Sequence, residues 1–333
     1  VGKGFAFVNV IEVEALVKEF GEIKAVAGIS FDVRQGEIFG FLGPNGAGKS
    51  TTISILSTLV APTRGRAAVA GFDVGAQRDA VRKNIGLVFQ DPSLDDRLTA
   101  EENLRFHARL YQVPRAEYRP RMEEVLRLVD LWDRKDGLIR TFSGGMKRRL
   151  EIARGLIHYP KVLFLDEPTL GLDPQTRAHL WEYVLKLKLE RGMTIFMTTH
   201  YMNEAEYCDR IAIIDRGKIA ALDTPAKLKA GLGGDVIRMQ SKSPDSLKAE
   251  VERRYGKQVT VEQDSIYFEV TNGGAFLPAL LKDIESSVEG VELRKPTLED
   301  VFLRITGHAI RSEESTGKEF ARSLMRSGRG RRG

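Results

Sequence analysis

Only one cysteine, Cys208, occurs in the 333 residues, so no disulfide can form within the chain and a reducing compartment is the natural setting. Cys208 reads as a small buried apolar residue rather than a reactive thiol. No apolar run approaches the ~18 residues that cross a bilayer, so any membrane association has to come through a partner. No secretory signal is read either. Sustained heptads, the mark of a long coiled coil, are missing. Charge of one sign is in short supply: 51 Lys and Arg face 46 Asp and Glu, a net charge of +5. Much of that excess sits in the last stretch, where Arg311, Lys318, Arg322, Arg326, Arg329, Arg331 and Arg332 face three glutamates. Glycine and serine punctuate it, and residues 308–333 are expected to form a basic, disordered tail. Its one aromatic, Phe320, gives little for stacking nucleic-acid bases.

What is present is a phosphate-cradling loop. Gly43, Pro44, Asn45, Gly46, Ala47, Gly48, Lys49, Ser50 and Thr51 fit G-x-x-x-x-G-K-[ST]. An apolar strand, Glu37 to Leu42, precedes the loop, and Thr51 to Leu59 has the spacing of a helix packed on a sheet. In that context glycines turn backbone N–H groups inward toward oxyanions, and the helix N-terminus adds positive potential. Lys49 is expected to reach the β- and γ-phosphates and Ser50 to sit on Mg²⁺. The chain is expected to bind a nucleoside triphosphate.

Other stretches fall into order around this loop. Ile11 to Val17, Ile29 to Val33, Ala67 to Gly71 and Ile85 to Gln90 read as strands, with Phe20 beside Gly21 in a turn. Gln90 closes its strand at the end where open α/β sheets place ligands. From Asp91 onward the pattern is helical and charged, with a capping box from Thr99 to Glu102 and a break at Val113-Pro114. The segment at about 91–158 is expected to be a helical insertion in an α/β core. After Lys161, the apolar run Val162 to Leu165 leads into Asp166 and Glu167, as a buried parallel strand delivering carboxylates to the ligand edge. Asp166 is placed to hold Mg²⁺, and Glu167 to orient or deprotonate a water attacking the γ-phosphate. A further strand, Met193 to Thr199, delivers His200 as a γ-phosphate contact. Ser143, Gly144, Gly145 and Met146 open another helix whose free N–H groups suit an anion.

Phosphate loop, glutamine, Ser-Gly-Gly helix, acidic strand and terminal histidine, in this order, resemble the ATP-binding cassette (ABC) ATPases over roughly Val10 to Leu228. The resemblance implies an α/β cassette with an antiparallel β subdomain and a helical subdomain. It implies that Phe20 stacks on adenine, that Gly43 to Thr51 wrap the phosphates of ATP, and that Gln90 senses Mg²⁺ and couples to a membrane permease. Catalysis then falls to Glu167, His200 and Lys49, and the metal to Ser50, Gln90 and Asp166. Ser143 to Met146 become the signature, and Gly171, Leu172 and Asp173 the loop that reaches a second cassette; Asp173 and Pro174 also read as an ordinary helix start. Two departures stand out: Phe20 replaces the usual tyrosine, and Met146 the usual glutamine, which leaves the glycine N–H donors but no side-chain amide.

Finer resemblance, carried by Ser143 to Leu150, Leu170 to Asp173, Thr198 to Glu206 and Lys295 to Phe302, points to the drug-resistance (daunorubicin/doxorubicin-like) and lipid-export branch. This implies an ATPase subunit at the cytoplasmic face of the membrane, with a separate permease and a second cassette, identical or closely related. Residues 1–230 are expected to form the cassette. Residues 231–307, with strand patterns at Val236–Met239 and Ser265–Val270 and helix patterns at Asp245–Arg254 and Ala275–Ile284, are expected to form a small α+β dimerisation or regulatory domain. The competing reading is a soluble relative acting on nucleic acid or ribosomes. The single cassette and the lack of heptads weigh against it.

Overall fold

The computed structural model describes residues 8–91 and 93–307, so the basic tail lies outside the described residues. The chain divides into two compact units between Ile219 and Ala220.

The first unit begins with two long strands, β1 (Asn9–Phe20) and β2 (Ile23–Arg34). They pair antiparallel, and β1 also pairs antiparallel with β4 (Arg64–Val69), followed by the short β5 (Phe72–Asp73). The central sheet is built from β3 (Ile38–Leu42), β6 (Ile85–Val88), β7 (Val162–Asp166), β8 (Thr194–Thr199), β9 (Arg210–Asp215) and β10 (Lys218–Asp223), which runs across the division. Its order is β10-β9-β3-β8-β7-β6, and β3 lies parallel to both β8 and β9. Every residue of β3, β7 and β8 is buried, as in parallel strands covered on both faces. Between the sheets, Phe31 of β2 stacks on Phe39 at 5.5 Å, and Phe39, Phe41 and Phe164 all pack on Phe196. These offset and tilted rings form the hydrophobic centre of the unit.

Helices surround the sheet: α1 (Lys49–Leu56), α2 (Arg78–Lys83), α3 (Ala100–Leu110), α4 (Arg115–Leu128), α5 (Gly144–Leu156), α6 (Pro174–Arg191) and α7 (Met202–Ala205). Thr99 makes the expected capping box with Glu102, and Pro114 caps α4. Strand β6 stops at Val88, two residues short of Gln90, because the Phe89 carbonyl is taken by the Arg148 guanidinium rather than by the sheet ladder.

In the second unit, α8 (Pro225–Ala230) precedes β11 (Asp235–Gln240), α9 (Pro244–Tyr255), β12 (Thr260–Glu262), β13 (Ser265–Val270), α10 (Gly273–Asp283), β14 (Gly290–Arg294) and α11 (Leu298–Thr306). The strands form an antiparallel sheet in the order β12-β13-β11-β14. Alternate residues Ile237, Met239, Ile266 and Phe268 pack with Leu247, Val251 and Leu280 from α9 and α10. The unit is α+β, with α8, β12, β14 and α11 added to the elements expected from the sequence. No described helix is long and apolar enough to cross a membrane.

Candidate functional site

The register of the central sheet assembles the site. Leu42 pairs with Thr199, and Asp166 pairs with Thr198, so the ends of β3, β7 and β8 lie side by side. The residues that follow those ends, Gly43, Glu167 and His200, therefore emerge at one edge.

The turn from β3 into α1 requires glycine where the backbone is crowded. A Cβ on Gly43 would meet the Ile214 carbonyl at 2.3 Å; one on Gly48, at φ +105°, would meet the Ala25 carbonyl at 2.4 Å. The Lys49 ammonium is buried beneath this turn. It donates to the carbonyls of Gly43 (2.8 Å) and Pro44 (3.1 Å) and pairs with Glu167 Oε1 at 3.0 Å. The Ser50 hydroxyl donates to Asp166 Oδ1 at 3.1 Å. Thr198 donates to the same oxygen at 2.5 Å and accepts from the Glu167 N–H at 3.0 Å.

Glu167 has a left-handed backbone, φ 45°, which is costly for a residue with a side chain. Its Oε2 lies 3.2 Å from His200 Nδ1. That contact lacks hydrogen-bond alignment, so this buried nitrogen has no hydrogen-bond partner within the protein. Burial pushes the Glu167 carboxyl up. The neighbouring His200 ring and the Lys49 ammonium outweigh that effect and hold it at about 2, well below its ordinary 4.5. The His200 ring packs against Tyr201 in a tilted arrangement, centroids 4.0 Å apart.

Lys49, Ser50, Asp166, Glu167 and His200 thus meet in one chain. The other sequence-derived residues stand apart. Phe20 is 48% exposed at the end of β1, with the Lys18 ammonium 4.7 Å above its ring. Gln90 is exposed, and no described group hydrogen-bonds its amide. Ser143 caps α5, accepting from the Met146 N–H at 3.2 Å, and Asp173 caps α6, accepting from the Thr176 N–H at 3.0 Å. These two helix starts touch: a Cβ on Gly145 would lie 2.4 Å from Thr176 Cγ2. Among the described residues, no hydrogen bond or ion pair joins this pair of helix starts to the phosphate turn.

Sequence reasoning missed Thr198 and Glu204. A threonine inside a fully buried strand is a signal for the first, since its hydroxyl needs a partner there. Glu204, 1% exposed, accepts from the Thr169 hydroxyl and, at 2.7 Å, from the Thr199 hydroxyl. Nothing in a helical run of acids distinguishes it beforehand.

A buried lysine under a glycine turn, a serine hydroxyl shared with a strand-end aspartate and an adjacent glutamate–histidine pair define a phosphate-loop nucleoside triphosphatase. Comparison with known proteins narrows the class. Residues 26–170 match the family model described as ABC transporter. A daunorubicin resistance ATP-binding protein, DrrA2, of Streptomyces coeruleorubidus is 41% identical over 320 residues, covering 93% of this chain and 98% of that relative. A linearmycin resistance ATP-binding protein, LnrL, of Bacillus subtilis (strain 168) is 40% identical over 90% of this chain and 99% of its own length. Among solved structures, an ATP-binding subunit of an ABC transporter matches with TM-score 0.61 and 32% identity, over 67% of this chain and 93% of that one. A dimeric cassette bound to ADP and Pi, MJ0796, matches with TM-score 0.58 and 29% identity, over 64% of this chain and 98% of its own. The chain belongs to the ABC transporter ATP-binding proteins. It is an ATPase whose hydrolysis serves transport.

Proposed function

We propose that this chain is the ATP-hydrolysing subunit of an exporter of drugs or other hydrophobic compounds, working at the cytoplasmic face of the membrane with a separate permease. Support for the substrate class comes from relatives named for daunorubicin and linearmycin resistance and for Nod factor export. The observation that carries the catalytic reading is the meeting of Lys49, Glu167 and His200 at adjacent strand ends.

ATP phosphates compete for the Lys49 donors now spent on Gly43, Pro44 and Glu167. As the ammonium turns to phosphate, Glu167 loses one of the two neighbours that depress its basicity and can more readily accept a proton from water. His200 then faces the γ-phosphate with a ring nitrogen that has no hydrogen-bond partner in the protein. Ser50 and Asp166 offer a hydroxyl and a carboxylate, hard oxygen donors of the kind Mg²⁺ takes alongside phosphate and water, and Gln90 would join them. The cation would neutralise charge on the β- and γ-phosphates. Among the described residues no cluster of three or more His, Cys, Asp or Glu competes as a metal site.

Ser143 to Met146 and Asp173 serve a second cassette in this reading, each chain's signature capping ATP on its partner's phosphate loop. The second unit is assigned a dimerisation or regulatory role. A nucleic-acid or ribosomal role has no support among these relatives. The test is light scattering of the Glu167→Gln chain. ATP should double the mass and Lys49→Ala should abolish the doubling; a monomer at saturating ATP would contradict the paired-cassette reading.

A further inference from the structure

The basic run Lys147, Arg148, Arg149 looks like a solvated helix face, yet Arg148 is 6% exposed and its guanidinium points into the unit. All five of its N–H groups have acceptors. Nε donates to the Pro168 carbonyl at 2.7 Å, and Nη2 to the carbonyls of Asp166 and Glu167, each at 3.2 Å. Nη1 donates to the Phe89 carbonyl and to Glu151 Oε2 at 3.0 Å. Glu151, fully buried, extends the network by accepting from the Ser93 N–H at 2.7 Å. Arg154 donates to the Ser93 carbonyl at 2.6 Å.

Three consecutive carbonyls converging on one planar cation require a curled backbone, and Glu167 at φ 45° is the centre of that curl. A fork of five donors is what distinguishes arginine from lysine here. The same fork grips the residue before Gln90. We infer that Arg148 is a positioning residue that clamps the entry to the Gln90 loop onto the backbone of Asp166, Glu167 and Pro168, so that a shift of the loop is transmitted to the carboxylate. The catalytic meaning rests on Glu167 being the base; the mechanical clamp does not.

The test uses the full chain carrying Arg148→Lys, with Glu151→Gln as a gentler variant that keeps an acceptor for Ser93. Amide hydrogen exchange and steady-state ATPase kinetics are measured together. Arg148→Lys should speed exchange in both segments 86–96 and 164–171 by about tenfold, the scale of one charge-assisted hydrogen bond, while α1 keeps its wild-type rate. The kcat should fall by about tenfold or more with KM for ATP within about twofold, as when an interaction made only in the transition state is lost. Glu151→Gln should speed the same two segments to a smaller degree. Acceleration in one segment alone, or equal acceleration throughout the unit, would overturn the clamp. Paired acceleration with unchanged kcat would keep the mechanical clamp and overturn its catalytic meaning. A separate Glu167→Gln chain that retains turnover would reject the base assignment while leaving the exchange result intact.

Discussion

Replacing Glu167 by glutamine removes one charge from a buried triad without changing its size. The carboxylate lies 3.0 Å from the Lys49 ammonium and 3.2 Å from the His200 ring, and it ionises at about 2 instead of 4.5. At about 1.4 kcal/mol per unit, the fold favours the ionised form by about 3 kcal/mol. The sign follows from the depressed value: this stabilisation is complete above the unfolded value and is lost as pH falls from about 4.5 toward 2. Glutamine carries no such proton, so the stability gap between wild type and variant should narrow by about 0.8 kcal/mol between pH 7 and pH 4. Urea denaturation at the two values reads it. Turnover should fall by about 10²–10⁴, or about 3–5 kcal/mol on the barrier, with ATP still bound. Phosphate release and binding of a fluorescent ATP analogue measure the two sides. Near-normal turnover would reject the base assignment, and a gap that does not change with pH would reject the ion pair.

Lys49→Ala strips the buried ammonium from the loop and should weaken ATP binding by about a hundredfold or more, read by the same analogue; unchanged affinity would remove Lys49 from the phosphate site. Gly145→Val puts atoms where Thr176 Cγ2 stands 2.4 Å from a bare Cβ, so α5 must shift at its start. In the proposed reading, where each chain's signature caps a partner's ATP, binding to the isolated chain should stay within about twofold while turnover drops by about tenfold or more. Phe20→Ala should weaken ATP binding by about tenfold through lost stacking, and Phe20→Tyr should leave it unchanged.

The phosphate loop, the acidic strand and the His200 strand were legible because each joins a buried apolar run to chemistry at a defined strand end. The helix starts at Ser143 and Asp173 were legible from capping chemistry alone. Strands β9 and β10 were not: Arg210 to Asp215 follows a helical run of acids, and Lys218 to Asp223 is half-buried, so neither shows a clean period. Strand β14 hides its alternation between Val291 and Leu293 within a charged stretch. Arg148 escaped for a different reason. Its neighbours Lys147 and Arg149 are less buried, and only the packing of α5 against β6 and β7 turns the middle side chain inward. Pairing of Asp166 with Thr198 is likewise a matter of register between strands distant in sequence.

Coupling to a permease is the central claim, and one measurement reaches it directly. The tagged Glu167→Gln chain is purified with ATP from detergent-solubilised native membranes, and the co-purifying protein is reconstituted with the wild-type chain in proteoliposomes. The account predicts a polytopic membrane protein that stimulates ATP hydrolysis by the wild-type chain. Recovery of ribosomes or nucleic acid, with no membrane protein that alters hydrolysis, would contradict it.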